Sequence, residues 1–320
     1  MATPFHGNTL NQLSIGKAAK FVEQIDNITE NAPIIKIMPF TQSTDQLWDV
    51  SSEIRLISSV NQVDLNAPLP EIQMADALKQ TQLNIFGAMS FVPEDTATLE
   101  GGASNYFARN RPTFEKQTGM DMEQSYIYNA FLPFALNSHF NHEESVYDAG
   151  GSNDQNFSII CCRFDSTNLS GLYSPLAFKR TTFLDIAAIN GGNMYVNPDV
   201  NSKFYNVLGY GMRMKTYVGV RMLSPRNIAA IVNIDLNEPT PFTVKTVNEM
   251  LLSARVGESG SSFIMCHPRV KLYLDEIGKT ERLMTNFVDQ KANFEITSWN
   301  GVPIVTSYNF VDGAEANIAL

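Results

Sequence analysis

The C-terminal third of this chain carries its tightest local constraint. The run "IAAIVNIDL", Ile228 to Leu236, is apolar and β-branched over the length of one strand, the pattern of a strand buried on both faces. Thr240 followed by Pro241 then predicts a helix start, and Val244, Val247, Leu251 and Ala254 share one face of that helix. "SSFIMC" reads as a second short strand, after which Pro268 opens a helix carrying Val270, Leu274 and Ile277 and ending at Gly278. In "NGVPIVTS", Asn300 to Ser307, Gly301 and Pro303 punctuate a turn that feeds a third strand, with Val302, Ile304 and Val305 as candidate core residues. Strand, helix, strand, helix, strand predicts a compact α/β unit.

The chain around this unit has 320 residues, 44% of them hydrophobic, enough to bury one large core or two smaller ones without disulfides or metals. Only 18% of residues are charged, and such a surface suits burial against partners. The formal charge of −10, with no basic run, disfavours strong direct binding of nucleic acid, although an acidic protein can enclose the polymer without adhering to it. Cys161, Cys162 and Cys266 are odd in number and include an adjacent pair, so they are expected to be small buried apolar residues in a reducing, intracellular setting. No signal peptide opens the chain and no apolar run reaches membrane-spanning length, so neither export nor a membrane is expected. The sequons at Asn27 and Asn168 are then chance matches.

Toward the N-terminus, Leu10, Leu13, Phe21, Val22, Ile25 and Ile28 recur at helical steps and predict one amphipathic helix ending before Pro33. From Thr41 to Pro112 no helical pattern is sustained apart from a short piece near Met74 to Leu83, and a long β-hairpin or extended loop is expected. Between Thr41 and Leu99 two positive charges face eight negative ones. An acidic, extended arm of this size cannot pack wholly on itself and is expected to lie on another subunit, with Trp48, Asp49, Glu53 and Arg55 as candidate contacts. The second tryptophan, Trp299, belongs to the core beside the last strand. Ile127, Phe131, Phe134 and Ala135 then mark the longest helix, which Pro133 should kink or divide.

Signals for chemistry are thin. His139, His142 and Glu143 in "HFNHEE" could share a helix face and hold a metal, but a further well-spaced ligand is missing, and a solvated helix end is the plainer reading. "EGGASN", "DAGGSN" and "INGGN" lack the spacing that cradles phosphate, and no nucleophile elbow, HExxH or kinase signature is present. No catalytic residue, cofactor or metal is assigned, and an enzyme would need a dispersed site.

In order, the segments "ENAPIIKIMPF", "NRPTFEKQTGMDME", "GYGMRMKTYVGVRMLSPRNIAAIVNIDL", "SSFIMCHPRVKLYLDEIG" and "FEITSWNGVPIVTSYNF" resemble the major capsid protein of a tailed bacteriophage with the HK97-like fold, close to the short podophage type. The resemblance spans nearly the whole chain. It implies an α+β chain with an N-terminal arm at 1–40, an extended E-loop at 41–112, a peripheral domain at 113–226 built on a long spine helix near 118–146, and a mainly axial domain at 227–320. It further implies no catalytic centre and assembly into hexamers and pentamers of an icosahedral head. That head, a virion part assembled in the host bacterial cytoplasm, would enclose double-stranded DNA without sequence-specific contacts. Portal, scaffolding and in some cases cement proteins would be its partners. Some relatives crosslink subunits through a Lys and an Asn; Lys79 and the Asn residues do not make up such a set, so none is expected. Nor does a fused scaffold domain appear, which suggests a separate scaffolding chain or a mature subunit. Two other readings stand beside this one: an encapsulin-like compartment shell, and a cytosolic α/β enzyme.

Overall fold

A computed structural model of the chain describes residues 7–15, 17–56, 74–140, 145–176, 183–238, 240–258, 260–283 and 297–320. The expected N-terminal helix is two. Thr9 caps α1 (Leu10–Ser14) through a reciprocal capping box with Gln12, and α2 (Ala19–Glu30) follows after a break. A short α3 (Pro33–Ile37) then starts on its proline. Leu10, Phe21, Ile25, Ile28, Ile34 and Ile35 all face the interior, so this segment packs into its own chain.

Strand β1 (Phe40–Gln42) leads to the antiparallel pair β2 (Trp48–Leu56) and β3 (Met74–Gln82), and β4 (Asn84–Pro93) continues almost directly from β3. The short helix expected near Met74 is therefore a strand, because pairing with β2 overrides the helix propensity of Ala, Leu, Lys and Gln in "MADALKQTQ". The extended region also ends earlier than expected. Helix α4 (Glu94–Leu99) and the long α5 (Ala103–Tyr126) already occupy its last part, and α5 carries Pro112 inside it. The spine helix runs on through a π-turn at Ile127–Phe131 into α6 (Leu132–Phe140). Pro133 does not divide it. A proline has no N–H and its ring crowds the carbonyl four residues back; widening the preceding turn, with the Leu132 amide bonded to the Ile127 carbonyl, absorbs that misfit.

Helices α2 and α5 cross closely at Gly119, where a Cβ would lie 2.0 Å from the Ile28 carbonyl oxygen. Glu115, buried one turn earlier, accepts hydrogen bonds from Asn27 Nδ2 (2.7 Å) and Arg111 Nε (2.6 Å) at the same crossing.

The remaining strands are β5 (Val146–Asp148), β6 (Phe157–Phe164), β7 (Leu169–Tyr173), β8 (Asp185–Ala188), β9 (Tyr195–Val196), β10 (Leu208–Met222), β11 (Ile228–Ile234), β12 (Ser261–Cys266), β13 (Ser298–Trp299) and β14 (Val302–Thr306). One sheet is ordered β1-β7-β10-β4, with β8 and β9 also pairing along β10. The other is ordered β13-β14-β12-β6-β11-β5.

This second sheet separates the two cores. Along β6, Phe157, Ile159 and Cys161 face one core while Ile160, Cys162 and Phe164 face the other, as strand alternation requires. The adjacent cysteines thus point to opposite faces. All three thiols are buried and free, and burial pushes those of Cys161 and Cys266 up to about 12, which leaves them poor nucleophiles at neutral pH. One face carries the spine helix and α1–α3; the other is covered by α7 (Val244–Ser253) and α8 (Pro268–Leu283).

The C-terminal α/β unit has the expected element order with two corrections. Thr243, not Thr240, caps α7: its hydroxyl accepts the Thr246 amide at 3.3 Å, while Phe242 between them is buried. Helix α8 passes through Gly278 and continues to Leu283, where the described residues stop. The turn of "NGVPIVTS" is a two-residue hairpin, with Asn300 (φ 47°) and Gly301 (φ 84°) both left-handed between the paired Trp299 and Val302.

Candidate assembly interface

Two faces of the β2–β3 hairpin divide its work. Trp48 lies opposite Gln82 and Val50 opposite Gln80, and with Leu78, opposite Ser52, they fall on one face. That face is open: Trp48 is 38%, Val50 44% and Leu78 76% exposed. Asp49, Ser51, Lys79 and Thr81 occupy the other face, which meets the body of the chain.

There Asp49 is fully buried and clamped by Arg221 of β10, from Nε (2.9 Å) and Nη2 (3.1 Å). Ser51 Oγ (2.9 Å) and the Thr44 amide (3.2 Å) also donate to it. Burial opposes ionisation of Asp49, but the hydrogen bonds from Arg221 and Ser51, the Arg221 charge and the Thr44 amide outweigh it and hold its carboxyl below the ordinary 3.8. Lys79 Nζ donates to the Met222 carbonyl (2.5 Å) and lies 5.1 Å from the centre of the Phe134 ring. Asp49 therefore anchors the hairpin to its own chain. Glu53 and Arg55 lie farther along β2, opposite Ala77 and Ala75, and their side chains fall outside the described residues.

The open surface continues past the hairpin. Strand β4 pairs with β10 along one side, carries no charged residue, and exposes Ile85 (62%) and Met89 (53%). A long uncharged edge of this kind invites pairing with another chain. The first half of α5 is only part-covered: from Ala103 to Phe114 no residue is fully buried, and Glu115 is the first that is.

At the C-terminal unit, Val302 is buried and Ile304 packs beside it on the core under α7 and α8, while Val305 turns to the opposite core. Trp299 is buried and donates from Nε1 to Asn248 Oδ1 (3.0 Å). His142 and Glu143 fall outside the described residues, as does the side chain of His139. Among the described residues, no group of three or more His, Cys, Asp or Glu side chains is arranged to hold a metal ion, and no helix is long and apolar enough to cross a membrane. Sequence reasoning missed the Asp49–Arg221 clamp, whose partners stand 172 residues apart with no local pattern to join them.

No protein-family model matches the chain, and no curated protein matches it. Solved structures do. A cryo-EM structure of bacteriophage Epsilon15 superposes with a TM-score of 0.52 at 14% identity, covering 86% of this chain and 87% of that one. The bacteriophage JBD30 capsid superposes with a TM-score of 0.50 at 10% identity, covering 97% of this chain and 96% of that one. At such identities the shared property is the fold, the α+β HK97-like capsid fold that the sequence resemblance implied.

Proposed function

We propose that this chain is a shell-forming structural protein, the major capsid protein of a tailed bacteriophage. The observation that carries the proposal is the likeness to the JBD30 capsid over nearly the full length of both chains. In this reading copies join as hexamers and pentamers into an icosahedral head around double-stranded DNA, assembled in the bacterial cytoplasm with portal and scaffolding partners.

The surfaces fit that task. A hairpin that exposes Trp48, Val50 and Leu78 on one face while Asp49 and Lys79 fix the other can reach a neighbour without leaving its own subunit. Of the residues named from the sequence, Trp48 is the one proposed as a contact with the neighbour, while Asp49 serves at the hairpin's root. Repetition over many copies lets modest contacts add up to a stable shell, and closed symmetry limits its growth. A net charge of −10 lets enclosed DNA slide along the wall. The role asks for no catalytic residue, cofactor or metal.

The test is negative-stain imaging of the expressed chain, with sedimentation velocity across a range of concentrations. Rings or closed shells are expected. A compact monomer at every concentration, alone and with a co-expressed scaffolding protein, would overturn the proposal.

A further inference from the structure

After β14 the chain has no regular secondary structure, yet it is fastened at every few residues. Ser307 Oγ and Asn309 Nδ2 (2.9 Å) donate to Glu123 on α5. The Val311 amide donates to Tyr128 Oη (2.9 Å) in the π-turn, and Phe310 is buried beside that ring. Glu315 accepts from Tyr128 Oη on one oxygen and from Ser158 Oγ of β6 on the other, and its backbone bridges Asn156. Ile318 exchanges two hydrogen bonds of 2.8 Å with the side chain of Asn233, a left-handed residue in the bulge of β11. The strap thus ties the spine helix to the sheet between the two cores.

Its two main anchors are carboxylates that pair with no cation among the described residues. Glu123 is wholly buried and faces the Ile34 (2.8 Å) and Ile35 (3.3 Å) amides of α3 besides Ser307 and Asn309, all neutral. Glu315 faces Tyr128, Ser158 and the Asn156 backbone, of which only the phenol titrates. Charged groups also stand along the strap: half-exposed Asp312 meets Arg269 (3.0 Å) and His267 (4.0 Å), and Asp148 accepts from the Asn233 side chain (2.9 Å) that holds Ile318. Burial holds the His267 imidazole below its ordinary 6.5, against the pull of Asp312 and together with Arg269.

We propose that the C-terminal segment, residues 307–318, is a proton-controlled clasp, closed most firmly when Glu123 and Glu315 are protonated and loosened as they ionise. Hydroxyl groups make this workable. Tyr128, Ser158 and Ser307 each donate to a carboxylate and can turn to accept from a carboxylic acid, so the neutral clasp keeps its hydrogen bonds. The ionised clasp keeps them too but holds two charges away from water with no counter-charge among the described residues. Burial raises both carboxyls above their ordinary 4.5 against the opposing hydrogen bonds. The closed state therefore binds more protons than the open one, and its stability is complete below about 4.5 and lost as pH rises through the raised values.

Hydrogen exchange of the full chain between pH 5 and pH 8, corrected for intrinsic rates, tests this. Protection at Val311, Glu315 and Ile318 should fall with rising pH, by up to about tenfold per pH unit for each carboxylate in its titrating range. Glu123→Gln and Glu315→Gln should each flatten the profile, and the double variant should abolish the slope. Protection independent of pH in the native chain, or a slope that survives in the double variant, overturns the clasp. Carbon-13 titration of the two carboxyl groups in the native chain needs no variant to fold, and midpoints at or below 4.5 would overturn it equally.

Discussion

Replacing Arg221 by methionine removes the cation from the root of the hairpin while keeping most of the side chain's apolar length. Asp49 would keep only Ser51 Oγ at 2.9 Å and the Thr44 amide at 3.2 Å, and Arg221 is the cation paired with it among the described residues. Removing one partner of a buried ion pair costs about 3–5 kcal/mol, because the remaining charge stays out of water. Arg221 is 16% exposed, so water can reach the vacated place, and the lower end, about 3 kcal/mol, is the expected cost. A hydrogen-exchange experiment on the β2 amides should read this as roughly a hundredfold loss of protection at neutral pH.

Asp49→Asn combined with Arg221→Met should recover most of that loss, since the double variant buries no charge. The carboxyl of Asp49 is held below 3.8, so the pair's contribution is complete above that pH and fades as pH falls through the lower folded value. Native chain and Arg221→Met should then converge in strong acid. Protection within about twofold of native in Arg221→Met, or a double variant no better than the single one, would refute the clamp as the hairpin's anchor.

Gly119→Ala should force α2 and α5 apart, because its methyl would sit 2.0 Å from the Ile28 carbonyl; a loss of at least about 1–3 kcal/mol in thermal unfolding is expected, and native stability would show that the helices do not meet there. Leu78→Ser should change the stability of the isolated chain by no more than about 0.5 kcal/mol, since that side chain is 76% exposed, yet should reduce rings and shells in sedimentation velocity. Unimpaired assembly of that variant would remove this hairpin face from the interface.

Some of the fold could be read locally because its cause is local. "IAAIVNIDL" and "SSFIMC" lie in a sheet with a core on either face, so the apolar run itself reports the environment. Asn300 and Gly301 announce their hairpin because few other residues tolerate two successive left-handed positions. The first half of α5 announces itself only weakly. Ala103, Tyr106, Phe107 and Phe114 stand at helical steps and are part-buried, but Asn110 and Arg111 interrupt the stripe, so the expected helix begins later than the observed one.

Composition and local pattern by themselves determined that this chain could fill a large core, would close it with an α/β unit at its C-terminal end, and would carry an extended arm it could not wholly bury. Tertiary structure alone decided how those parts are fastened. Asp49 finds Arg221 172 residues away, and Glu123 finds Ser307 184 residues away. A polar side chain's partner is set by which strands and helices the fold brings alongside it, and no spacing along the chain records that.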